Sequence, residues 1–213
     1  MGSFGASDEA IEVAFQDVVA RYGEHQRRYH TFAHVLDVLG TLDELFADPV
    51  SPEIATADRR AIRAAGWFHD VVYDPTQPDN EARSAQHARD TLTALGLGTE
   101  AVEEVARLIE LTAGHEVADG DVNGMLLADA DLAILGAAPD RYERYTGEIR
   151  AEYAHVPDEQ FRRGRALVLE SFLQRPRLYL TVAGAERFDE LARENLRVEL
   201  EALRADDETG STA

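Results

Sequence analysis

The sequence predicts an all-α chain, on three observations. Apolar residues recur at spacings of three and four along most of its length. No alternating stretch rich in β-branched residues is long enough for a sheet. The periodic segments are bounded by capping residues, glycines and prolines.

The first helix is predicted from Ser7 to Tyr22, with Ser7 as its cap, Asp8 and Glu9 in the first turn, and Ile11, Phe15, Val18 and Val19 on one face. Gly23 ends it. The second runs from Thr31 to Phe46 with Val35, Leu36, Leu39, Leu42 and Phe46 at core spacing, until Asp48-Pro49 and Ser51-Pro52 break the pattern. A third, Ala55 to His69, closes on the apolar cluster Ala64-Ala65-Gly66-Trp67-Phe68. The segment from Tyr73 to Asp79 holds two prolines and reads as a loop. Further helices are predicted over Asn80–Leu95, Thr99–Ala113, Gly124–Gly136, Asp140–His155, Asp158–Leu173 and Ala185–Arg204. Residues 206–213 are acidic and small, with no apolar face, and are predicted to be disordered. No repeat or linker divides positions 1–205, which read as a single domain.

Composition narrows the chemistry. The 213 residues are 45% hydrophobic, enough to fill one continuous core. There is no cysteine, so disulfides, thiolate metal sites and cysteine nucleophiles are excluded, and a metal would have to be held by imidazole and carboxylate. Lysine is also absent, which excludes a Schiff-base lysine and a phosphate-loop lysine. The formal charge of −20, from 41 acidic against 21 basic residues, argues against long nucleic acid and anionic membranes as partners. A small phosphorylated molecule stays open, because a few arginines and a metal can overcome the mean field. No apolar run approaches the roughly 18 to 20 residues that cross a bilayer, and the first residues lack the features of a secretory signal, so the expectation is a cytoplasmic protein.

Seven histidines occur, at positions 25, 30, 34, 69, 87, 115 and 155. His69 stands out: it ends an apolar helix beside Asp70, where an unpaired carboxylate would be costly. Neighbouring side chains on a helix diverge by about 100°, so both can reach one ion only if it lies close to the helix surface and other helices complete the shell. His30 and His34, four apart, share a face and can send either or both rings into the same cavity. Asp129-Ala-Asp131, inside an apolar run, supplies a further carboxylate, with Asp129 read as a cap, a ligand-orienting partner or a ligand. Glu81 and Ser84 share a stripe beyond the proline-rich loop, so a carboxylate and a hydroxyl can face one space, with Glu81 alternatively an acid that favours the helix N-terminus. His115 follows a helix C-terminus, where an imidazolium is favoured and can reach a phosphate. Arg28 and Arg83 offer forked donors to a substrate anion. His25, His87 and His155 are read as surface residues.

The order His34, His69-Asp70, Asp131 resembles the His…His-Asp…Asp pattern of the HD superfamily of metal-dependent phosphohydrolases. The strings Arg28-Tyr-His-Thr-Phe-Ala-His34, Trp67-Phe-His-Asp-Val-Val-Tyr-Asp74, Asn80-Glu-Ala-Arg-Ser84, Leu127-Ala-Asp-Ala-Asp-Leu-Ala-Ile-Leu-Gly136 and Ala192-Arg-Glu-Asn-Leu196 carry the likeness over most of the chain. The resemblance implies a single helical bundle of the HD type. Its ligands for one divalent ion (Mn, Mg, Fe, Co or Zn) would be His34, His69, Asp70 and Asp131, the last chosen over Asp129 because Leu132 follows it. Asp70, Glu81 and His115 then take catalytic roles, and Arg28, His30, Arg83 and Ser84 bind a small phosphorylated substrate, with nucleotides among the candidates. Two alternatives stand beside the hydrolase: a di-iron oxygenase on the same scaffold, which needs further histidines between the His-Asp pair and the last Asp, and a non-catalytic metal- or nucleotide-binding module. Apolar residues such as Phe161, Leu167, Leu169 and Phe172 leave room for a homodimer.

Overall fold

A computed structural model describes residues 6–48 and 52–210. Among them every regular element is helical and there is no strand, as the periodicity predicts. The helices are α1 (Asp8–Tyr22), α2 (Phe32–Phe46), α3 (Arg59–Phe68), α4 (Asn80–Ala94), α5 (Thr99–Leu111), α6 (Val122–Asp131), α7 (Pro139–Glu152), α8 (Asp158–Gln174) and α9 (Val182–Gly210). Two 3-10 turns, Pro52–Thr56 and Leu132–Gly136, precede α3 and α7. No single helix is long and apolar enough to cross a membrane among the described residues. The tail expected to be disordered, 206–213, begins inside α9, and 211–213 lie outside the described residues.

The boundaries move where capping chemistry decides them. α1 starts at the predicted cap, with Ser7 Oγ accepting from Ala10 N at 3.2 Å. α3 begins at Arg59 rather than Ala55, because Asp58 accepts from the backbone N–H groups of Arg60 and Ala61. α6 begins earlier than Gly124, because Asp121 caps the Gly124 N–H. It stops at Asp131, and the chain tightens there to 3-10 pitch where one helix through Gly136 was expected.

The buried apolar residues form two groups. Helices α1 to α6 surround Leu42, Leu45, Ile62, Leu108, Leu126 and Leu127. The second group joins Tyr29, Leu135, Tyr145, Leu169, Tyr179 and Leu196 from the loop before α2, the second 3-10 turn and α7 to α9. Leu36, placed at core spacing from the sequence, is 52% exposed, and Ile11 and Phe15 are also exposed, although Phe15 packs edge-on against Trp67. Asp131 lies at the border of the two groups, between Ala130 of the first and Leu132 of the second.

Candidate metal centre

Four side chains predicted as ligands meet at this border. His34 arrives from the first turn of α2 and His69 from the residue that caps α3. Because α3 ends at Phe68, Asp70 lies in the following turn, and the divergence of adjacent helical side chains does not keep it from the same point. Asp131 closes the cluster from the end of α6.

The Nε2 atoms of His34 and His69 are 3.0 Å apart. Asp131 Oδ1 lies 3.1 Å from the first and 3.5 Å from the second, and Asp70 Oδ2 lies 3.6 and 3.1 Å from them. Ligand atoms about 2.1 Å from one ion are roughly 3.0 Å apart at a right angle and roughly 3.4 Å apart at a tetrahedral one. His34, His69 and Asp131 are therefore spaced as ligands of one small cation could be, and Asp70 Oδ2 lies within 3.6 Å of both imidazoles. The ligand atoms of His34, His69 and Asp131 all lie within 4.8 Å of one another.

Protonation supports the same reading. His69 Nδ1 is 3.0 Å from the Gly66 carbonyl, which can only accept, so Nδ1 carries a hydrogen and Nε2 is the ring atom turned inward. Burial works against a charged His69, but the carboxylates of Asp70 and Asp131 outweigh it and raise its pKa well above the ordinary value. Burial likewise opposes ionisation of Asp70 and Asp131, yet the facing histidines hold both carboxyls below the usual range. The two buried carboxylates thus favour positive charge at one point, which a proton on His69 or a divalent ion could supply.

His115 joins the cluster through its Nε2, 2.8 Å from Asp131 Oδ2. Its backbone has φ 51°, a left-handed conformation that histidine tolerates better than branched residues, and this turn follows the end of α5. Arg175 holds that turn by donating to the carbonyls of Gly114 and His115. Asp129, left open between cap, partner and ligand, is fully buried and accepts from Leu180 N, Thr181 N and Thr181 Oγ1 at 2.6 to 2.8 Å. Burial pushes its carboxyl up to about 6. It secures the start of α9 and does not face the histidines.

The predicted substrate residues divide. His30 is next to the site, stacked on Tyr73 with ring centres 4.2 Å apart, and its Nδ1 lies 2.6 Å from Glu152 Oε2. Burial would lower its pKa, but Asp70 and Glu152 raise it. Ser84 is fully buried with its hydroxyl bonded to the N–H and carbonyl of Val72, so it braces the turn after Asp70. Arg28 folds onto the carbonyls of His25 and Arg27, and exposed Arg83 stands 3.9 Å from Asp79. Neither guanidinium is directed at the cluster. Glu81 is half-buried at the start of α4, and it adds to the rise of the Tyr153 pKa that burial and Glu152 cause. His87, expected at the surface, is half-buried against Phe68, and its Nε2 is 3.0 Å from Asp17 Oδ2 without hydrogen-bond alignment. His25 and His155 are exposed as expected.

Two residues that the sequence did not single out hold the frame. Arg27 has a fully buried side chain and donates to the carbonyls of His30 (2.9 Å), Asp70 (2.7 Å) and Val71 (3.1 Å), with its plane over Tyr22 and near Tyr73. Arg27→Lys keeps the charge but not the fork, and is expected to lower stability by about 2 kcal/mol in chemical denaturation. The other is Glu152. Its Oε1 accepts from the N–H groups of Arg28, Tyr29 and His30 at 2.7 to 3.0 Å, and its Oε2 takes His30 Nδ1 and the Tyr73 hydroxyl. Beside the cluster opens a cavity of about 510 Å³ to which His30, His115 and Asp131 contribute. Compared with protein-family models, curated proteins and solved structures, the chain matches none.

Proposed function

We propose that the protein is a metal-dependent phosphohydrolase of the HD type, acting on a small phosphorylated molecule. The observation that carries the reading is the convergence of His34, His69, Asp70 and Asp131, from three places in the sequence, with each imidazole Nε2 3.0 to 3.6 Å from the other and from the two carboxylates. A divalent ion held there would supply a Lewis acid that activates water and offsets charge growing on phosphoryl oxygens. The chain's own groups account for the rest. Asp70 and Asp131 can accept a proton from water, and His115 orients Asp131. His30 has its Nδ1 on Glu152, which leaves Nε2 as the atom that can pass a proton to a leaving group in the cavity. The di-iron alternative is less favoured, because His87, one of the two histidines available for a second ion, is engaged with Asp17 and Phe68.

The test is elemental analysis of the purified protein beside Asp70→Ala, followed by a metal-supplemented screen of phosphate esters. The expected result is one equivalent of divalent metal in the parent, loss of metal and hydrolysis together in the variant, and turnover of at least one ester. Two equivalents of iron would favour the oxygenase. Bound metal with no hydrolysis would favour a binding module, and full metal content in Asp70→Ala would remove the proposed site.

A further inference from the structure

The cavity beside the candidate ligands changes character along its length. At one end are His30, His115 and Asp131. Away from them the wall is made by Leu132, Leu135, Ile149, Val156, Phe161 and Phe172. At about 510 Å³ it falls within the size range of small-molecule pockets. We propose that this cavity receives the alcohol part of the substrate, and that this part is an apolar aryl or medium-chain alkyl group bearing a single phosphoryl group. The phosphoryl end of this inference rests on the phosphohydrolase reading; the apolar end rests on the cavity.

The argument is one of unmet hydrogen bonds. A sugar or a base buried against that wall would give up its water partners and find few replacements. The one cation there, Arg165, is already neutralised: Nε and Nη2 lie 2.8 and 3.1 Å from the two oxygens of Glu199, and Nη1 reaches the Tyr145 hydroxyl at 3.3 Å. Its side chain is 9% exposed. Gln160, an exposed residue at the rim, and the hydroxyls of the lining tyrosines Tyr29, Tyr145 and Tyr153 are the other polar groups of the wall.

The same count limits the phosphates. A di- or triphosphate needs cations beyond the first phosphoryl group, and the nearby arginines are committed elsewhere. Arg27 is turned to backbone carbonyls and Arg141 is shared by Glu148 and Asp37. A second opening, of about 460 Å³, touches His34 and Asp131 but carries the carboxylates of Asp37 and Glu44, which repel an anionic ester. The apolar cavity is the better route for a substrate that is uncharged except at one end.

Two measurements test this on the intact, manganese-supplemented protein. The first compares kcat/KM for octyl and 1-naphthyl phosphate with glycerol phosphate, ribose 5-phosphate and ATP. Octyl and glycerol phosphates have leaving groups of similar reactivity, so their ratio reads the cavity; an advantage of at least about 100-fold for octyl is expected. Equal or faster turnover of glycerol phosphate, ribose 5-phosphate or ATP would overturn the inference. The second is calorimetric titration with neutral 1-naphthol. Gly164 lines the cavity on α8, and a Cβ there meets nothing within 4 Å, so Gly164→Phe places a ring at the cavity wall with no clash at its Cβ. The variant should bind 1-naphthol at least about tenfold more weakly while keeping its metal content. Val168→Asp, at a half-exposed lining position, should do the same if Gly164→Phe does not fold. No binding of 1-naphthol by the parent, or undiminished binding by a folded variant, would refute the cavity assignment. Naphthol binding without hydrolysis of any ester would keep the apolar occupant and reject the phosphohydrolase reading.

Discussion

Glu152→Ala is expected to lower stability by about 3 to 5 kcal/mol and to abolish activity, although Glu152 is not among the candidate ligands. The carboxylate gathers three backbone N–H groups, the His30 ring and the Tyr73 hydroxyl, and truncation leaves all of these donors facing an apolar hole. The backbone so released, Arg28 to His30, leads directly into the turn of α2 that carries His34. Burial opposes its ionisation, but His30 and the backbone donors more than reverse this and draw its pKa from 4.5 down to about 2. Each pH unit of such a depression corresponds to about 1.4 kcal/mol, so the ionised group contributes on the order of 3 kcal/mol. Because the folded value lies below the unfolded one, this stability is present above the unfolded value of 4.5 and is lost as pH falls toward 2. Urea denaturation across that window should show the loss in the parent, and a flatter profile in Glu152→Gln. An unchanged profile would mean that the carboxylate does not hold the loop.

Gly184→Ala is expected to cost about 3 kcal/mol or more, a large effect for one methyl group. A Cβ at this position would stand 2.9 Å from both Asp129 Cγ and Thr181 Oγ1, where neither partner can retreat. Thr181 Oγ1 donates to Asp129 and accepts from Gly184 N at 2.9 Å, so it caps α9 while serving the carboxylate. Moving Asp129 would disturb Asp131, two residues on, so the variant should lose metal affinity as well as stability. Thermal unfolding with and without added manganese separates the two effects. If the variant melted like the parent, the close approach described for Gly184 would be wrong.

The fold was legible in the sequence to the extent that side-chain periodicity and caps decide it. Ser7 and the loop from Tyr73 to Asp79 are where the pattern puts them, whereas α3 and α6 begin at aspartates whose capping bonds a pattern of apolar residues does not reveal. His69 and Asp70 could be singled out because an imidazole and a carboxylate at the end of an apolar helix carry a burial cost, whereas the choice of His34 beside His30, and of Asp131 over Asp129, rested on the resemblance. Arg27 and Glu152 could not, since their sequence neighbourhoods are those of ordinary solvated charges and their partners lie up to 124 positions away. Arg28 and Arg83 were chosen for the chemistry of guanidinium alone, and nothing local in the sequence tells which of two adjacent arginines turns inward.

The tightening of the chain at Asp131 makes this residue a meeting point for two separately packed bodies of side chains. His34 and His69 are carried by elements of the first body, while the orientation of Asp131 also depends on the second, through Leu132 and the Asp129 bonds to the start of α9. An ion captured here would thus act as a checkpoint on completed folding: a chain in which only the first six helices had packed would present His34, His69 and Asp70 with a wandering Asp131, and would hold its metal more weakly. Ion occupancy would rise only after the C-terminal helices dock, and any chemistry the ion supports would be withheld from nascent or partly unfolded chains.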